Sequence, residues 1–304
     1  MTVDDKTIVG GTAPSIALPL VSGGSRRTHS TLFSLVLVSP LLLLIFFGFV
    51  YPVGEMLVSS LFSPGFTLDN YARIFTKPLY LKVLYRTLEI ALLTTLGAFV
   101  LGYPVAFAMA RAKSKLVPWI AACVLIPLWT SVLVRSYAWI LLLQRKGIVN
   151  NFLIDIGLID KPLKILYTEH AVLLAMVHVL LPFMILPVYG SLRSISVELP
   201  RAAKNLGAGP VTVFKSVYLP LSLPGIFAGS ILVFILALGF FVTPALVGGP
   251  TTLMMATLIS QQTTELLDWE FAAALSTLLL VVTLVIAFAF RHVLSFSKGF
   301  SDGN

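Results

Sequence analysis

Few residues in this 304-residue chain are equipped for bond-making chemistry. The four histidines, His29, His170, His178 and His292, have no metal-ligand spacing. Cys123 stands alone, so no intrachain disulfide can form. There is no Gly-x-Ser-x-Gly nucleophile elbow and no His-Glu-x-x-His pair. A Gly-Lys dipeptide is absent, and with it a Walker A loop. What remains is chemistry of recognition, concentrated between Ser191 and Leu221. There Ile195, Leu199, Ala202 and Leu206 recur at helical spacing and form one apolar stripe. Pro200 suits the first turn of such a helix. Gly207 and Gly209-Pro210 stop it. A short amphipathic helix of this kind can lie on lipid, pack on its own bundle, or fill a groove on a partner. Ala202 and Ala203 keep its surface small and flat, which favours close docking to protein.

The elements that must position this loop follow from composition. Hydrophobic residues make up 58% of the chain and charged residues 11%, with a mean hydropathy of +0.97. Soluble domains carry roughly 25% charged residues, so this chain lacks a solvated skin. Composition disfavours a soluble enzyme, a disordered protein and a nucleic-acid binder, and no nucleic-acid partner is expected. The expected fold class is an all-α polytopic membrane protein embedded in a lipid bilayer. Six continuous apolar segments, near 31–54, 88–110, 116–143, 170–190, 222–247 and 271–291, are each long enough to cross a hydrocarbon core of about 30 Å. Barrel strands would alternate instead. Prolines 40, 104, 127, 182, 187 and 244 fall within these segments and suit kinked helices lining a pathway. The first apolar run is too long for a signal peptide and lacks an Ala-x-Ala site, so it is expected to be a retained anchor.

Residues 1–30 are polar and rich in Gly, Ser and Thr, and are expected to form a flexible cytosolic tail. Their Leu20-Val21-Ser22-Gly23-Gly24-Ser25 run loosely resembles an ATPase signature sequence, but without a Walker A loop it has nothing to act on. The transmembrane domain is expected over 31–295, with a second short cytosolic tail over 296–304. With the N-terminus inside, the inside segments hold 12 of the 21 Lys and Arg and the outside loops hold 8. Acidic residues divide the opposite way, 4 inside and 9 outside. This asymmetry, with an even number of spans, places both termini in the cytosol.

Within the spans, Arg135 is the one basic residue. Intramembrane ions are costly and often functional. On an unbroken helix from Leu116 it would lie about 29 Å along the axis, near the outer interface, where it could snorkel. Tyr137 and Trp139 beside it fit an interfacial aromatic belt equally well. His178 reads first as a packing histidine. Glu89 and Glu169 fit helix-end acids favoured by the dipole. Glu265, Asp268 and Glu270 cluster with Trp269 on the outer side.

The loop also carries a family resemblance. Arg201-Ala202-Ala203, Gly207, then Val217-x-Leu219-Pro220 resembles the EAA loop of ABC importer permeases in spacing throughout. Val217 replaces the motif's Ile and Arg201 replaces its leading Glu. Val134-Arg135-Ser136-Tyr137-Ala138-Trp139 with Gly147-Ile148-Val149-Asn150 resembles the third-span region of spermidine/putrescine-type permeases. Phe241-Val242-Thr243-Pro244-Ala245-Leu246 and Asp268-Trp269 resemble their fifth and sixth spans. The likeness covers roughly 31–295.

The resemblance implies half of a translocation pathway in the bacterial inner membrane. The partners would be a second, similar permease, two ATPase subunits and a soluble substrate-binding protein. Glu198, Arg201, Ala202, Ala203, Leu206, Gly207, Leu219 and Pro220 would form the coupling surface on loop 191–221. No cofactor would be bound by this chain; ATP would be used by the partner ATPase subunits, and this chain would not be an enzyme. The solute would be a polyamine or a related amine or opine, with Arg135, Tyr137, Trp139, His178, Asp268 and Trp269 as candidate path residues. No strong acidic site occurs within the spans, which leaves opines, other amines, thiamine and anions open. A proton-coupled secondary transporter, a channel and an intramembrane enzyme are the alternatives. They lack, respectively, the expected buried acids and repeats, a need for the EAA-like loop, and a nucleophile or metal motif.

Overall fold

The computed structural model describes residues 31–62 and 65–299, with the side chains of 36–62 and 65–290. The N-terminal tail and its signature-like run lie outside these residues. The chain divides into two units, Met1–Pro52 and Val53–Asn304. The first holds helix α1 (Thr31–Ile45) and the π-helical turn Phe46–Val50, and α2 (Tyr51–Ser59) starts at its end and lies mostly in the second. The stretch Val36–Ser59 is apolar enough to span a membrane.

The second unit continues with α3 (Asp69–Thr76), α4 (Pro78–Arg111), α5 (Val117–Trp129), α6 (Val132–Leu143), α7 (Ile148–Asp155) and α8 (Glu169–Ser194). Then come α9 (Glu198–Asn205), α10 (Pro210–Val213), α11 (Leu219–Leu238), α12 (Val242–Val247), α13 (Met255–Thr264) and α14 (Trp269–Gly299). Among the described residues, five helices are long and apolar enough to cross a membrane, or six if the bent pair around α5 and α6 counts as one span.

The ends of the spans differ from expectation in three places. Helix α4 starts about ten residues early, at Pro78, because a proline at the first turn is tolerated there and Tyr80 and Val83 are buried. The fifth span ends at Leu238, and residues 242–247 form the separate helix α12. On its other side, α10, a π turn at Phe214–Tyr218 and α11 run on as one helical rod from Pro210 to Leu238.

The largest correction concerns 116–143. That segment is not one helix. It breaks after Trp129, and its halves meet at 98°. Thr130 and Ser131 at the break have extended backbone. Pro127 lies just before it, and the carbonyl of Pro127 accepts both the Thr130 N–H and the Thr130 hydroxyl. The Pro127 carbonyl and both Thr130 donors are thus satisfied locally, which lipid demands.

Helices α4, α8 and α11 make the core. Lipid removes the hydrophobic drive between helices, so contact depends on close packing and shared hydrogen bonds. Small residues supply the first. A Cβ added to Gly225 would lie 2.5 Å from the Pro187 carbonyl oxygen and 2.7 Å from Ser191. One added to Gly229 would lie 2.9 Å from Met184 Sδ, and one at Gly102 would lie 3.2 Å from the same side chain. Met184 is therefore held between α4 and α11. Shared hydrogen bonds supply the second requirement. The Tyr103 hydroxyl bonds the Ser222 hydroxyl at 3.1 Å, and the Met255 N–H donates to Thr87 Oγ1 at 2.9 Å.

Gly225→Ala should therefore lower stability in detergent by about 1–3 kcal/mol, the usual cost of overpacking. Gly190→Ala, where an added Cβ meets nothing within 4 Å, should not. Thermal unfolding of the two purified variants checks this.

Candidate functional site

Two regions hold the sequence-derived candidates, at opposite ends of the helical core. The first surrounds α9. Helix α8 ends at Ser194, and the chain turns at Ile195–Val197 before α9 begins. Ile195 therefore lies off the helix, against the core, which corrects its place in the stripe. The rest of the stripe faces outward. Leu199 and Ala202 are exposed, and Leu206 is 89% exposed. Pro200 is buried and Ala203 half-buried, so they form the inner side of α9. Packing on its own bundle is thus excluded as the fate of the Leu199–Leu206 stripe.

Gly207 ends α9 with φ +83°, a left-handed conformation. Its N–H donates to the Lys204 carbonyl, and the Ala208 N–H donates to the Ala203 carbonyl. Glycine is suited to that position because a side chain there costs about 1–2 kcal/mol. An added Cβ would meet nothing within 4 Å in this chain. The requirement here lies in the backbone, not in space. Leu219 and Pro220 open α11, with Leu219 packed against the core.

Glu198 and Arg201 form no ion pair among the described residues. Arg201 instead lines a cavity of about 640 Å³ together with Arg111, Arg193 and Lys204. The Arg111 guanidinium donates to the Tyr218 hydroxyl at 2.9 Å and lies over the Phe107 and Tyr218 rings. Sequence reading missed Arg111 and Tyr218, which are 107 residues apart.

The second region is at the other end. The break before α6 places Arg135 on a segment tilted away from α5, so a straight count of 29 Å does not describe its position. Its Nε and Nη1 are buried without a hydrogen-bond partner among the described residues. The neighbouring Ser136 is buried and shares a hydrogen bond with Thr243 of α12 at 3.0 Å. Trp139 Nε1 donates to His178 Nδ1 at 3.3 Å, with the rings edge to face. Accepting at Nδ1 puts the proton of neutral His178 on Nε2. His178 is an exposed side chain bordering an apolar cleft with Cys123, Val124 and Pro127. Tyr137 is exposed and makes no hydrogen bond among the described residues.

Asp268 is engaged in the fold. Its Oδ2 accepts from Arg73 Nη1 at 2.8 Å, and its Oδ1 accepts the Phe271 N–H at 3.2 Å, capping α14. Arg73 lies 3.9 Å from the centre of the Phe271 ring. The bond to Asp268 raises the Arg73 pKa above its ordinary value. Arg86 similarly pairs with Glu169 at 2.7 Å. Trp269 is 66% exposed. Glu265 has no ion-pair partner among the described residues, and lines a cavity of about 380 Å³ with Phe241, Thr257, Ser260 and Gln261. No group of His, Cys, Asp and Glu among the described residues could hold a metal ion.

This geometry can be set beside known proteins. The chain is 40% identical over 238 residues to the spermidine/putrescine transport system permease protein PotB of Salmonella typhimurium, covering 78% of this chain and 83% of that one. It is 41% identical over 217 residues to the PotB of Escherichia coli, covering 71% and 78%. Among solved structures, a bacterial alginate ABC transporter in complex with an alginate-bound periplasmic protein superposes with a TM-score of 0.68. That match has 21% identity and covers 86% of this chain and 92% of that one. Residues 98–297 match the model of the binding-protein-dependent transport system inner membrane components, and the chain belongs to that family.

Proposed function

We propose that this multi-pass inner-membrane permease forms half of a polyamine pathway and is driven through α9 by an ATPase partner. The observation that carries the reading is the uncovered stripe of Leu199, Ala202 and Leu206 beside the left-handed turn at Gly207. An apolar helix face projecting from the bundle needs a protein groove or a membrane surface to cover it. Its small residues favour the groove. Two ATPase subunits, each engaging one permease of a pair, would use ATP, while this chain holds no nucleotide. Rigid-body movement of α9 would then tilt the core helices to which it connects. The excess of Lys and Arg at the α9 end supports a cytosolic position for that end and for both termini.

A soluble binding protein would deliver solute at the opposite end. The names of the relatives favour a polyamine. Glu265, beside Phe241 and Gln261, is the free carboxylate best placed to meet a cation there. Asp268 is occupied by Arg73, and Trp269, Tyr137, Trp139 and His178 would serve as walls. Arg135 is a fixed cation, which would repel an amine and so acts in this reading as a barrier or as a partner for an acid of the second permease.

Leu206→Glu should abolish co-purification with the ATPase subunit while membrane insertion and thermal stability of this chain stay unchanged. Retained co-purification would remove the coupling role of α9. Gly207→Leu should abolish uptake with normal insertion. Gly207→Asn, which tolerates left-handed backbone, should retain more uptake than Gly207→Ala; equal loss would show that docking space, not backbone, is limiting. Glu265→Gln should lower spermidine uptake at limiting concentration roughly tenfold, the loss of one charged hydrogen bond. Unchanged uptake would exclude Glu265 from the path.

A further inference from the structure

The basic cavity beside α9 is not explained by docking of the exposed stripe, because Pro200, Arg201 and Lys204 line it and Leu199, Ala202 and Leu206 do not. Its cations come from three elements: Arg111 ends α4, Arg193 ends α8, and Arg201 and Lys204 lie on α9. Among the described residues, no Asp or Glu lines it. Glu198, one turn before Arg201, is exposed and outside the cavity. Arg111 spends one of its five guanidinium N–H groups on Tyr218. Cations gathered with no counter-charge among the described residues repel one another, and an anion placed among them relieves that repulsion.

A second chamber adjoins the first. It has a volume of about 430 Å³ and shares Phe107, Arg111, Lys204 and Tyr218 with it. Its remaining wall is apolar, made of Pro210, Val211, Val213 and Phe214. The two together have a charged room and a greasy room with Arg111 and Tyr218 at the doorway. A free anion would use the first and leave the second bare. An amphiphile uses both.

We propose that the paired chambers hold an anionic phospholipid of the cytosolic leaflet. Its phosphate is held by Arg111, Arg193, Arg201 and Lys204, and the start of an acyl chain lies against Val211 and Phe214. The site joins the ends of α4 and α8 to α9, so a lipid bound there braces the helix that the proposed ATPase engages. The proposal rests on the cytosolic placement of α9, and basic pockets at that membrane face are suited to phosphate headgroups.

The test uses the purified full-length chain and native mass spectrometry, with dioleoyl phosphatidylglycerol and dioleoyl phosphatidylcholine as probes. Phosphatidylglycerol should be retained at least tenfold more tightly. Arg193→Gln should weaken it about fivefold and Arg111→Gln with Arg193→Gln more than tenfold, given the usual effect of one cation near a charged headgroup. Lys161→Gln with Lys164→Gln, at the other end of the bundle, should leave it unchanged. Thermal unfolding of each variant distinguishes a lost site from a lost fold. Should an arginine variant unfold, Val211→Asp tests the acyl chamber and should also weaken retention. Equal retention of the two lipids, equal loss in the lysine control, or displacement of lipid by millimolar inorganic phosphate would overturn the proposal. The assay contains no ATPase, so failure here is read separately from failure of α9 to dock.

Discussion

The approach of α11 to α8 at Gly225 and Gly229 is the constraint from which the rest follows. An aqueous core gains by excluding water, whereas helices in lipid exchange one apolar neighbour for another. They stay together by approaching closely enough for dispersion and for carbonyl groups to meet. Gly225 lets its helix approach the Pro187 carbonyl of α8 so closely that an added Cβ would lie 2.5 Å from its oxygen. The same helix carries Met184, which touches Gly102 of α4 on one side and Gly229 of α11 on the other. One side chain thereby sets the spacing of three spans.

That spacing decides where α9 sits. Helix α8 delivers the chain to the turn at Ile195, and the rod Pro210–Leu238 receives it again. Both ends of the α9 segment are therefore fixed to two core helices that pack closely on each other. A force on α9 reaches their contact without passing through a loose linker. At the other end, short elements do the positioning: α12 receives α6 through Ser136 and Thr243, and Arg73 and Asp268 tie α3 to the start of α14. Leu267, just before that pair, has φ +54°, an unfavourable backbone that the ion pair and cap hold in place.

Much of this was legible in the residues. Apolar runs of span length announce themselves because lipid demands continuity. The Leu199–Ala202–Leu206 stripe and its stop at Gly207 were legible from helical spacing and from the one residue type that readily ends a helix left-handed. Other features were hidden for physical reasons. The break at Thr130–Ser131 leaves no sign, because proline, threonine and serine all occur within intact spans and hydrophobicity continues across it. Helix α4 extends outward through Lys82 and Arg86, which hydropathy assigns to a loop although packing makes them helical. Ile195 fits the stripe by spacing, but the chain turns beneath it. The pairing of Arg73 with Asp268 joins residues 195 apart and is invisible without the fold.

The distribution of charge links the two ends. A polyamine entering near Glu265 would travel toward an end crowded with Arg111, Arg193, Arg201 and Lys204. Like charges repel, and the more strongly the lower the local dielectric. The family motif places a Glu where this chain has Arg201, which makes that end more cationic still. A bare basic cavity would therefore oppose release of a polyvalent amine. An anionic headgroup in the cavity weakens that repulsion: its negative charge offsets part of the four positive charges and screens the exit. The substitution of Arg201 and the proposed lipid are in this sense one feature. The loop needs a counter-charge, and a lipid is the source that the bilayer always supplies.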